Sequence, residues 1–524
     1  MQPQETYTIP SLKKSKAHSL KISLRSFFVI SLCYLTAPVI VFFIGYLKIW
    51  WALLFSGLTV FALWWAFREL KKDKSGKMDF TLEFKPSYFL VVVPLVFVFV
   101  FIGGVGEFSW TLIDHRVRYA ILNDLVSYKW PIVYDYSTQQ NPAVAEALGE
   151  GKAGFAYYFV FWMIPAVAGK LFGLLAARVT LLIWSAAGLL LTAVGSCFIY
   201  KTVSRTMFAA LMLFSGFDVI PYYINKWLGI GTTWEGWNIN LYIHGDFYQI
   251  VNVFNQCIPG WLVTVLLLLC VNGRITGLLG SLIFCYSPWA AIGILPMCVC
   301  RIVMDQKDKK NIVKDLFTPA NIVAPVVFFI CFASLFTANN AATSSSGFIW
   351  KFYDSPKDLV IDYIKYAVFE FGIWFVIIIR KHRKDAMLWT ALVTLLVMPV
   401  YKITWVNDFI MRGTMAPMFM IALYSCMFIA DNFDTCLHNP KFDLRSRLAV
   451  LLIVAAAYVP FNIFVTSAML TYELRVNKQH LEEDVSHDIE SFGNIRQEEF
   501  LDMVRTQFYV EDYEDSFFFK YLAK

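Results

Sequence analysis

The sequence is poor in charged residues. Aspartate, glutamate, lysine and arginine make up 16% of the 524 residues, whereas hydrophobic residues make up 58%. A soluble domain carries roughly a quarter charged residues, so this balance excludes an ordinary soluble globular protein. The mean hydropathy of +0.56 agrees with that exclusion. Repeated apolar runs near the length of about 20 residues that crosses a bilayer predict an all-α polytopic membrane protein in contact with lipid.

Three further absences narrow the class of protein. The apolar runs are continuous and do not alternate with polar residues, which argues against an outer-membrane β-barrel. The ten cysteines lie mostly inside apolar runs, and Cys298 and Cys300 lack the paired spacing and histidine partners of a zinc site. No basic stripe with interleaved aromatic residues is present, so nucleic acid is not an expected partner. The sequence therefore predicts neither a disulfide framework nor a metal cluster.

The basic N-terminal segment lacks a small-residue cleavage site after its apolar run. The run is therefore predicted to be an uncleaved first helix and not a signal peptide. Lysine and arginine cluster in short segments between apolar runs, and the positive-inside rule places such segments in the cytoplasm. The strongest clusters are residues 68–77, 307–314 and 380–384. They predict an N-terminus inside, a C-terminus outside and about thirteen transmembrane helices.

The predicted organisation has four parts. These are a basic cytoplasmic N-terminus (1–26), an N-terminal pair of spans (27–87), a transmembrane core (88–470) and an acidic extracytoplasmic tail (471–524). The core contains a long polar loop, residues 105–176. The apolar stretch 155–173 in this loop is long enough to cross the membrane, but a crossing would place Lys201 and Arg205 outside, against the charge rule. The stretch is therefore predicted to lie at the membrane surface as a juxtamembrane or re-entrant helix, with the crossing left open as the alternative.

Polar residues that are costly beside hydrocarbon collect at the predicted outer face. Transfer of a sugar from a lipid phosphate needs a carboxylate to deprotonate the acceptor hydroxyl and cations to hold the phosphate. Aromatic side chains supply platforms for the faces of sugars. Asp114 is the candidate base. The candidates for substrate and donor binding are His115, Arg116, Arg118, Asp124, Trp130, Tyr134, Lys152, Tyr157, Tyr158, Asp218, Asn255, Gln256, Asp408 and Arg412.

Structural roles are equally open to these residues. Asp114 can cap the helix that follows it. Arg116 and Arg118 can extend along apolar surface to reach the interface, and tyrosine or tryptophan at a boundary belongs to the usual aromatic belt. Asp408 and Arg412 are four residues apart and can form an ion pair along one helix. Taken one by one, the residue types leave both sets of roles open.

One ordered set of residues runs through the loop and just beyond it. It consists of Asp114-x-x-x-Arg118-Tyr119-Ala120-x-x-x-Asp124-Leu125, Trp130-Pro131, Tyr157-Tyr158, Lys170-Leu171-Phe172-Gly173 and Ala177-Arg178. This order resembles the first extracytoplasmic loop of GT-C glycosyltransferases, in the branch of the protein O-mannosyltransferases and lipid A aminoarabinose transferases. The resemblance implies that Asp114 holds the catalytic acidic position and that Lys152 is similar to a lysine that contacts the lipid phosphate. It also implies a juxtamembrane helix over 155–173 and a GT-C-like bundle.

The resulting expectation is a bacterial inner-membrane glycosyltransferase of the cell envelope that takes part in polysaccharide biosynthesis. It would move a sugar from a polyprenyl-phosphate donor to an extracytoplasmic glycan, lipid or protein. Asp114 would act as general base, with Arg118 and Lys152 as phosphate-side cations. Tyr157, Tyr158 and Trp130 would form the walls of the donor site. No cofactor is expected, and dependence on a divalent metal is left open.

Two other functions stay in view. A transporter or flippase for a lipid-linked glycan would carry polar residues deep in many spans, whereas here they gather near one face. An oligosaccharide polymerase or ligase that uses diphosphate-linked donors would be expected to carry an arginine-rich loop late in the chain. The loop after Phe336 holds only Lys351 and Lys357 as basic residues before the next apolar run.

Overall fold

A computed structural model describes most of the chain. The described residues are 19–73, 75–233, 235–304, 312–339, 346–404, 407–438, 444–476 and 489–524, with the backbone alone described at 113–117, 433–438 and 444–449. Helix makes up 74% of the structure and strand 5%. The protein is thus mostly helical, as the sequence predicts.

The helices are numbered in chain order. They are α1 (Leu24–Tyr46), α2 (Ile49–Lys71), α3 (Pro86–Ile102), α4 (Ile113–Ser127), α5 (Pro142–Leu148), α6 (Met163–Phe172), α7 (Leu174–Tyr200), α8 (Arg205–Met212), α9 (Val219–Trp227), α10 (Asp246–Leu269), α11 (Thr276–Tyr286), α12 (Pro288–Met304), α13 (Ile312–Leu316), α14 (Pro319–Phe328), α15 (Ser334–Phe336), α16 (Pro356–Tyr366), α17 (Ile373–His382), α18 (Ala386–Val397), α19 (Asp408–Gly413), α20 (Met415–His438), α21 (Leu444–Val476) and α22 (Leu501–Gln507). The strands are β1 (Leu20–Ser23), β2 (Thr81–Phe84), β3 (Val133–Asp135), β4 (Lys152–Phe155), β5 (Gly347–Phe348), β6 (Tyr401–Lys402) and β7 (Tyr509–Val510).

Seven helical segments among the described residues are long and apolar enough to cross a membrane. They are Leu24–Tyr46, Ile49–Lys71, Leu174–Tyr200, Asp246–Leu269, Pro319–Phe336, Met415–Asn432 and Val450–Val476. Five shorter apolar helices accompany them in the described part of the chain. This composition agrees with an all-α membrane protein, while the count of about thirteen spans stays a prediction.

Helix α10 forms the centre of the bundle. Its apolar window is completely buried, whereas the windows of α2 and α21 are largely exposed on the periphery. It packs mainly against α7, α11 and α20. Both the apolar and the polar residues of α10 are therefore enclosed by protein. Its 24 residues span about 36 Å, enough to connect the two ends of the bundle.

Basic side chains gather at the end of the bundle where α10 finishes. Arg274, which follows α10, pairs with Glu69 of α2 at 3.0 Å and with Asp315 of α13 at 3.2 Å. Lys381 of α17 pairs with Asp431 of α20 at 3.1 Å. These pairs join the ends of several helices at one side. Glu69 and Lys381 belong to two of the charge clusters that the sequence assigns to one side of the membrane, while residues 305–311, which include part of the third, lie outside the described residues.

A small α/β unit covers part of the opposite end. Strands β3, β4 and β7 form an antiparallel sheet in which Tyr134 faces Ala153 and Phe155 faces Tyr509. The third strand comes from the C-terminal segment, and the chain then continues to the turn between α1 and α2. There the backbone N–H of Lys48 donates to the carbonyl of Leu522 at 2.8 Å. Residues 489–524 therefore fold onto the first large loop, a docking for which the sequence carries no clear signal.

The apolar stretch after β4 forms a short helix. A single turn at Val160–Trp162 leads into α6, which ends before Gly173 (φ 89°) and is followed directly by α7. The helical run Val160–Phe172 extends about 20 Å, which is less than the ~30 Å hydrocarbon core of a bilayer. This length is compatible with the juxtamembrane placement, which stays a prediction.

The stretch 207–221 reads as one span in the sequence but is broken in the structure. Helix α8 ends at Met212 and α9 starts at Val219. Between them the backbone N–H of Phe217 donates to the carbonyl of Phe369 at 2.7 Å, within a π-helical turn, Ala367–Gly372. A Cβ on Gly216 would lie 2.9 Å from the Cα of Glu370, so only glycine permits this approach. This contact with a distant segment interrupts the single helix that the sequence predicts over 207–221.

The tightest helix crossing in the site region involves Gly293 of α12. A Cβ at this position would collide with the carbonyl oxygen of Gly413 in α19, and backbone cannot move aside as a flexible side chain does. We expect Gly293→Ala to lower the free energy of unfolding by about 1–3 kcal/mol, as overpacking does in other cores. Thermal unfolding of the purified protein in detergent measures this. The control is Gly57→Ala in α2, where an added Cβ would have no atom within 4 Å. Equal thermal unfolding midpoints for the two variants would refute the close crossing of α12 and α19.

Candidate functional site

The first turn of α4 carries the three adjacent candidates Asp114, His115 and Arg116. The helix begins at Ile113 with Leu112 as its N-cap. Residue 114 is therefore inside the first turn, and the capping position that the sequence leaves open for it is taken by Leu112. The side chains of these three residues lie outside the described part of the structure. Position 114 is one helical turn before Arg118, so both lie on the same face of α4.

Arg118 joins α4 to the centre of the bundle. Its side chain is almost fully buried, and its Nη1 donates to the backbone carbonyl of Asn252 in α10. In a regular helix that carbonyl would accept from the N–H four residues later. The backbone of Val253 is not helical (φ −142°, ψ 41°), which produces a kink beside Asn252. The kink in α10 lies where the guanidinium of Arg118 binds.

Tyr157 and Tyr158 follow β4 and stack on each other. Their ring centroids are 3.9 Å apart, and Tyr157 is buried. Burial raises the pKa of Tyr157, while the positive charges of Arg118 and Arg412 act in the opposite direction. The charges of two arginines from distant parts of the chain therefore act on one tyrosine hydroxyl. The structure brings together these four of the sequence-predicted residues.

Helix α19 contributes the pair that the sequence predicts at one-turn spacing. Arg412 is buried and forms an ion pair with the carboxylate of Asp408, to which Thr404 also donates at 3.0 Å. Burial raises the pKa of Asp408, but Arg412 and Thr404, with a contribution from Arg118, outweigh burial and hold the pKa below its usual value. Asp408 is therefore ionised at neutral pH. Its negative charge offsets part of the positive charge of the site.

His244 belongs to the same group, and sequence reasoning did not select it. Its Nδ1 lies 3.5 Å from the amide nitrogen of Asn252, and its ring packs edge-on against Tyr248. Burial and the nearby Arg412 lower the pKa of His244 to about 3. The imidazole is neutral at physiological pH and presents one donor and one acceptor. The sequence feature that could have identified it is a single histidine in the loop between α9 and α10, which is rich in aromatic residues.

A polar network holds the loop that carries His244. Lys402 of β6 is buried, and its Nζ donates to the side-chain oxygen of Asn240 at 2.6 Å. The amide of Asn407 donates to the backbone carbonyl of Asn240 at 2.7 Å. Burial lowers the pKa of Lys402. The residues just before α19 thus anchor the loop beside the Asp408–Arg412 pair.

Asp124 and Tyr134 have a different place in the structure. Asp124 is buried beneath the C-terminal segment, where its Oδ2 accepts from the Tyr134 hydroxyl at 2.8 Å and from the backbone N–H of Phe492 at 2.9 Å. Burial raises the pKa of Asp124 to about 7, and hydrogen bonds from Ser491, Tyr134 and Phe492 partly offset this rise. The two residues connect α4, β3 and the C-terminal segment. The contacts that the structure gives them are structural.

Trp130 also packs against neighbouring residues of the protein. Its indole N–H donates to the carbonyl of Leu125 at 2.8 Å, and its ring stacks on Tyr46 with centroids 5.7 Å apart. Lys170 lies over the ring at 5.0 Å. Trp130 therefore ties the loop to α1 and α6.

Lys152 lies on the surface of the small sheet. Its Nζ is 3.8 Å from the carboxylate of Asp135, and both side chains are about half exposed. It also lines a shallow groove of about 310 Å³ together with residues 511–515, four of which are acidic. Among the described contacts, Lys152 does not reach the tyrosine pair or the arginines.

The sequence predicts a polyprenyl-phosphate donor. We expect Lys152→Ala to leave the affinity for a polyprenyl phosphate unchanged within about twofold and to alter stability by less than about 1 kcal/mol, because an exposed ion pair contributes little. A binding measurement with a polyprenyl phosphate checks this, with Arg118→Ala as the contrasting variant. A tenfold loss in Lys152→Ala would restore the lysine to the site.

Asp218, Asn255 and Gln256 occupy two further places. Asp218 accepts from the Ser215 hydroxyl at 2.6 Å and lies against Glu370 at the break between α8 and α9. Asn255 and Gln256 are buried in α10 just after its kink. Among the described residues, neither side-chain amide has a hydrogen-bond partner. Buried amides usually have partners, so these two are available to a water or a ligand beside the kink.

Comparison of the chain with protein-family models, with curated proteins and with solved structures finds no match in any of the three. Within the described residues, no group of three or more histidine, cysteine or acidic side chains has the arrangement of a metal site.

Proposed function

We propose that the protein is an integral-membrane glycosyltransferase of the GT-C type that uses a polyprenyl-phosphate sugar as donor. The observation that carries the proposal is the convergence of Arg118, the Tyr157–Tyr158 stack and Arg412 at one end of the helical bundle. These groups come from α4, from the segment after β4 and from α19. Buried charges beside a membrane-spanning bundle are costly and mark sites of binding or catalysis.

The arginines suit the phosphate of the donor. A guanidinium group stays charged, is only weakly hydrated and matches two phosphate oxygens with two parallel N–H groups. As the bond between the anomeric carbon and the phosphate oxygen breaks, negative charge builds up on the phosphate. Arg118 and Arg412, held in place by Asn252 and Asp408, would stabilise that charge without reorganising. Arg412 thereby takes the second cationic role that the resemblance assigns to Lys152.

The other residues would bind the sugar and activate the acceptor. The stacked tyrosines offer an apolar wall with polar tips, and neutral His244 offers one donor and one acceptor. Asp114 would take the proton from the acceptor hydroxyl while that oxygen bonds to the anomeric carbon. The products are the glycosylated acceptor and the free polyprenyl phosphate. The proton is then on Asp114, the sugar is on the acceptor, and the polyprenyl phosphate has left.

The charge distribution supports an orientation for this enzyme. The basic end of the bundle, where Arg274 and Lys381 lie, would face the cytoplasm of a bacterial cell. The site, at the other end of α10, would face outward. If the broken pair α8–α9 is one crossing, and α16–α17 with the π-helical turn between them is another, the chain would cross the membrane about thirteen times and end outside. The juxtamembrane α6 and the four-part organisation belong to the same proposal.

Reconstituted proteoliposomes test the function. The purified protein receives a polyprenyl-phosphate sugar labelled in the sugar and a mixture of envelope acceptors. Label in the acceptor together with an equal amount of free polyprenyl phosphate supports the proposal. Movement of intact donor across the bilayer without a new glycosidic bond would instead indicate a flippase. Release of polyprenyl diphosphate from an oligosaccharide donor would indicate a polymerase or ligase.

A further inference from the structure

The C-terminal segment is in direct contact with the tyrosine pair. The backbone N–H of Ala156, next to Tyr157, donates to the carbonyl of Phe508 at 3.0 Å. The ring of Phe508 packs on Tyr157 with centroids 4.9 Å apart. Strand β7, which follows Phe508, pairs with the end of β4. The segment that leads into the tyrosine pair is therefore held on one side by the C-terminal segment.

Asn339 reinforces this junction. Its side-chain amide donates to the carbonyl of Ala156 at 3.2 Å and to the carbonyl of Gln507 at 2.9 Å. One side chain thus bridges the backbone just before Tyr157 and the backbone just before Phe508. The two segments are positioned as a unit at the end of α15.

The other side of Phe508 leads to Asp124. The Phe508 ring stacks on Phe492 with centroids 4.3 Å apart. The backbone N–H of Phe492 donates to Asp124, and the hydroxyl of Tyr509 donates to the carbonyl of Phe492. Asp124 lies on α4, the helix that also carries Arg118. Two routes therefore run from α4 to the tyrosine pair, one through Arg118 and one through Asp124, Phe492 and Phe508.

The surroundings of Asp124 are protonatable but uncharged at neutral pH. The hydroxyl of Tyr134 of β3 donates to it, and its charge acts on the hydroxyls of Tyr46 of α1, Tyr128 at the end of α4 and Tyr509 of β7. Ser491 approaches from the C-terminal segment. No lysine or arginine contributes to the titration of Asp124 among the described residues. An ionised carboxylate here would be buried without a positive partner.

We propose that residues 489–510 are a working part of the donor site: Phe508 is a positioning residue for Tyr157 and Tyr158, and docking on Asp124 makes that positioning sensitive to pH. The assignment of the site to donor binding rests on the proposed function. The coupling between residues 489–510 and the tyrosine pair rests only on the contacts described above. The pKa of Asp124 is raised in the folded state, to about 7. Burial beneath the segment disfavours the ionised carboxylate more than the hydrogen bonds from Ser491 and Phe492 favour it. Docking is therefore strongest with the carboxyl protonated, and it weakens as pH rises from about 4 through about 7.

Hydrogen exchange on the full-length protein in lipid nanodiscs tests the coupling. After correction for intrinsic rates, we expect exchange in 489–510 and in 152–158 to rise together, about 10- to 30-fold, between pH 5.5 and 8. Asp124→Asn keeps an oxygen for Phe492 and Tyr134 but has no proton to lose, so its exchange should not change with pH. Asp135→Asn is the control, since the pKa of exposed Asp135 is lowered by hydrogen bonds from Ser137. Opening of 489–510 without any change at 152–158 would overturn the proposal.

A binding measurement with a polyprenyl phosphate adds the positioning readout. Phe508→Ala should weaken binding about tenfold, and Phe508→Tyr should restore it because the flat ring is kept. Phe517→Ala, an exposed ring in the same segment, should bind like the wild type. Equal affinity in Phe508→Ala and the wild type would refute the positioning role. A wild type that does not bind polyprenyl phosphate would refute the proposed function, while the exchange experiment would still decide the coupling.

Discussion

Replacing Asp114 with asparagine is expected to abolish sugar transfer and to leave donor binding intact. Asparagine has nearly the same shape but cannot accept the proton of the acceptor hydroxyl. Removal of a positioned general base slows a reaction by about 10²- to 10⁴-fold. Asp114 lies in the first turn of α4, one turn from Arg118, so a base at this position would act close to an arginine that we propose binds the phosphate.

Initial rates with a labelled polyprenyl-phosphate sugar measure the effect, and affinity for polyprenyl phosphate is measured in parallel. A lost rate with unchanged affinity assigns Asp114 to the chemical step. Asp135→Asn provides a matched control, because that aspartate is exposed on β3 and pairs with Lys152. If Asp114→Asn transfers sugar at the wild-type rate, another group is the base. The catalytic role that the GT-C resemblance implies for Asp114 would then be wrong.

Replacing Arg412 with alanine is expected to lower both stability and donor binding. The change leaves the carboxylate of Asp408 without its ion-pair partner, and breaking a buried pair costs about 3–5 kcal/mol. The lower end applies here because the side chain of Asp408 keeps 25% of its surface exposed. The lost guanidinium also removes one of the two cations close to Tyr157.

A double variant separates these two effects. Asp408→Asn with Arg412→Gln removes both charges together, so we expect it to recover most of the stability but none of the donor binding. Arg412→Lys keeps the charge and loses the two-pronged geometry, which should weaken binding about tenfold. Chemical unfolding with and without polyprenyl phosphate gives both quantities. Lys21→Ala is the control, since its pair with Glu83 is exposed and lies outside the site. Wild-type affinity in the double variant would exclude Arg412 as a ligand.

The protein class followed from the sequence because the decisive forces act locally along the chain. Scarce charge and long apolar runs require helices in a bilayer, since every backbone polar group there must be satisfied within its own segment. The same local reasoning selected Arg118, the Tyr157–Tyr158 pair and the Asp408–Arg412 pair, because charges and aromatic rings beside apolar runs are conspicuous. It also favoured a short α6 at the membrane surface through the placement of nearby charges.

Which candidates lie together was decided only by the tertiary structure. Arg118 and Arg412 are almost three hundred residues apart. Arg118 binds α10 at its kink, and α19, which carries Arg412, crosses α12 closely at Gly293. Lys152 is as conspicuous in the sequence as either arginine, yet the sheet register places it opposite Asp135 at the surface.

The position of the C-terminal segment is the clearest example of a feature that the sequence alone could not predict. Its strand β7 has two residues, and its acidic composition resembles a solvated tail. Its position depends on partners that lie far away in the sequence: the edge of β4, the carboxyl group of Asp124 and the turn after α1. A two-residue strand has no periodicity to detect, and its hydrogen bonds exist only once the other strand is in place. The sequence determined that this chain is a helical membrane protein with a polar end, and the packing of distant segments decided which residues form the site.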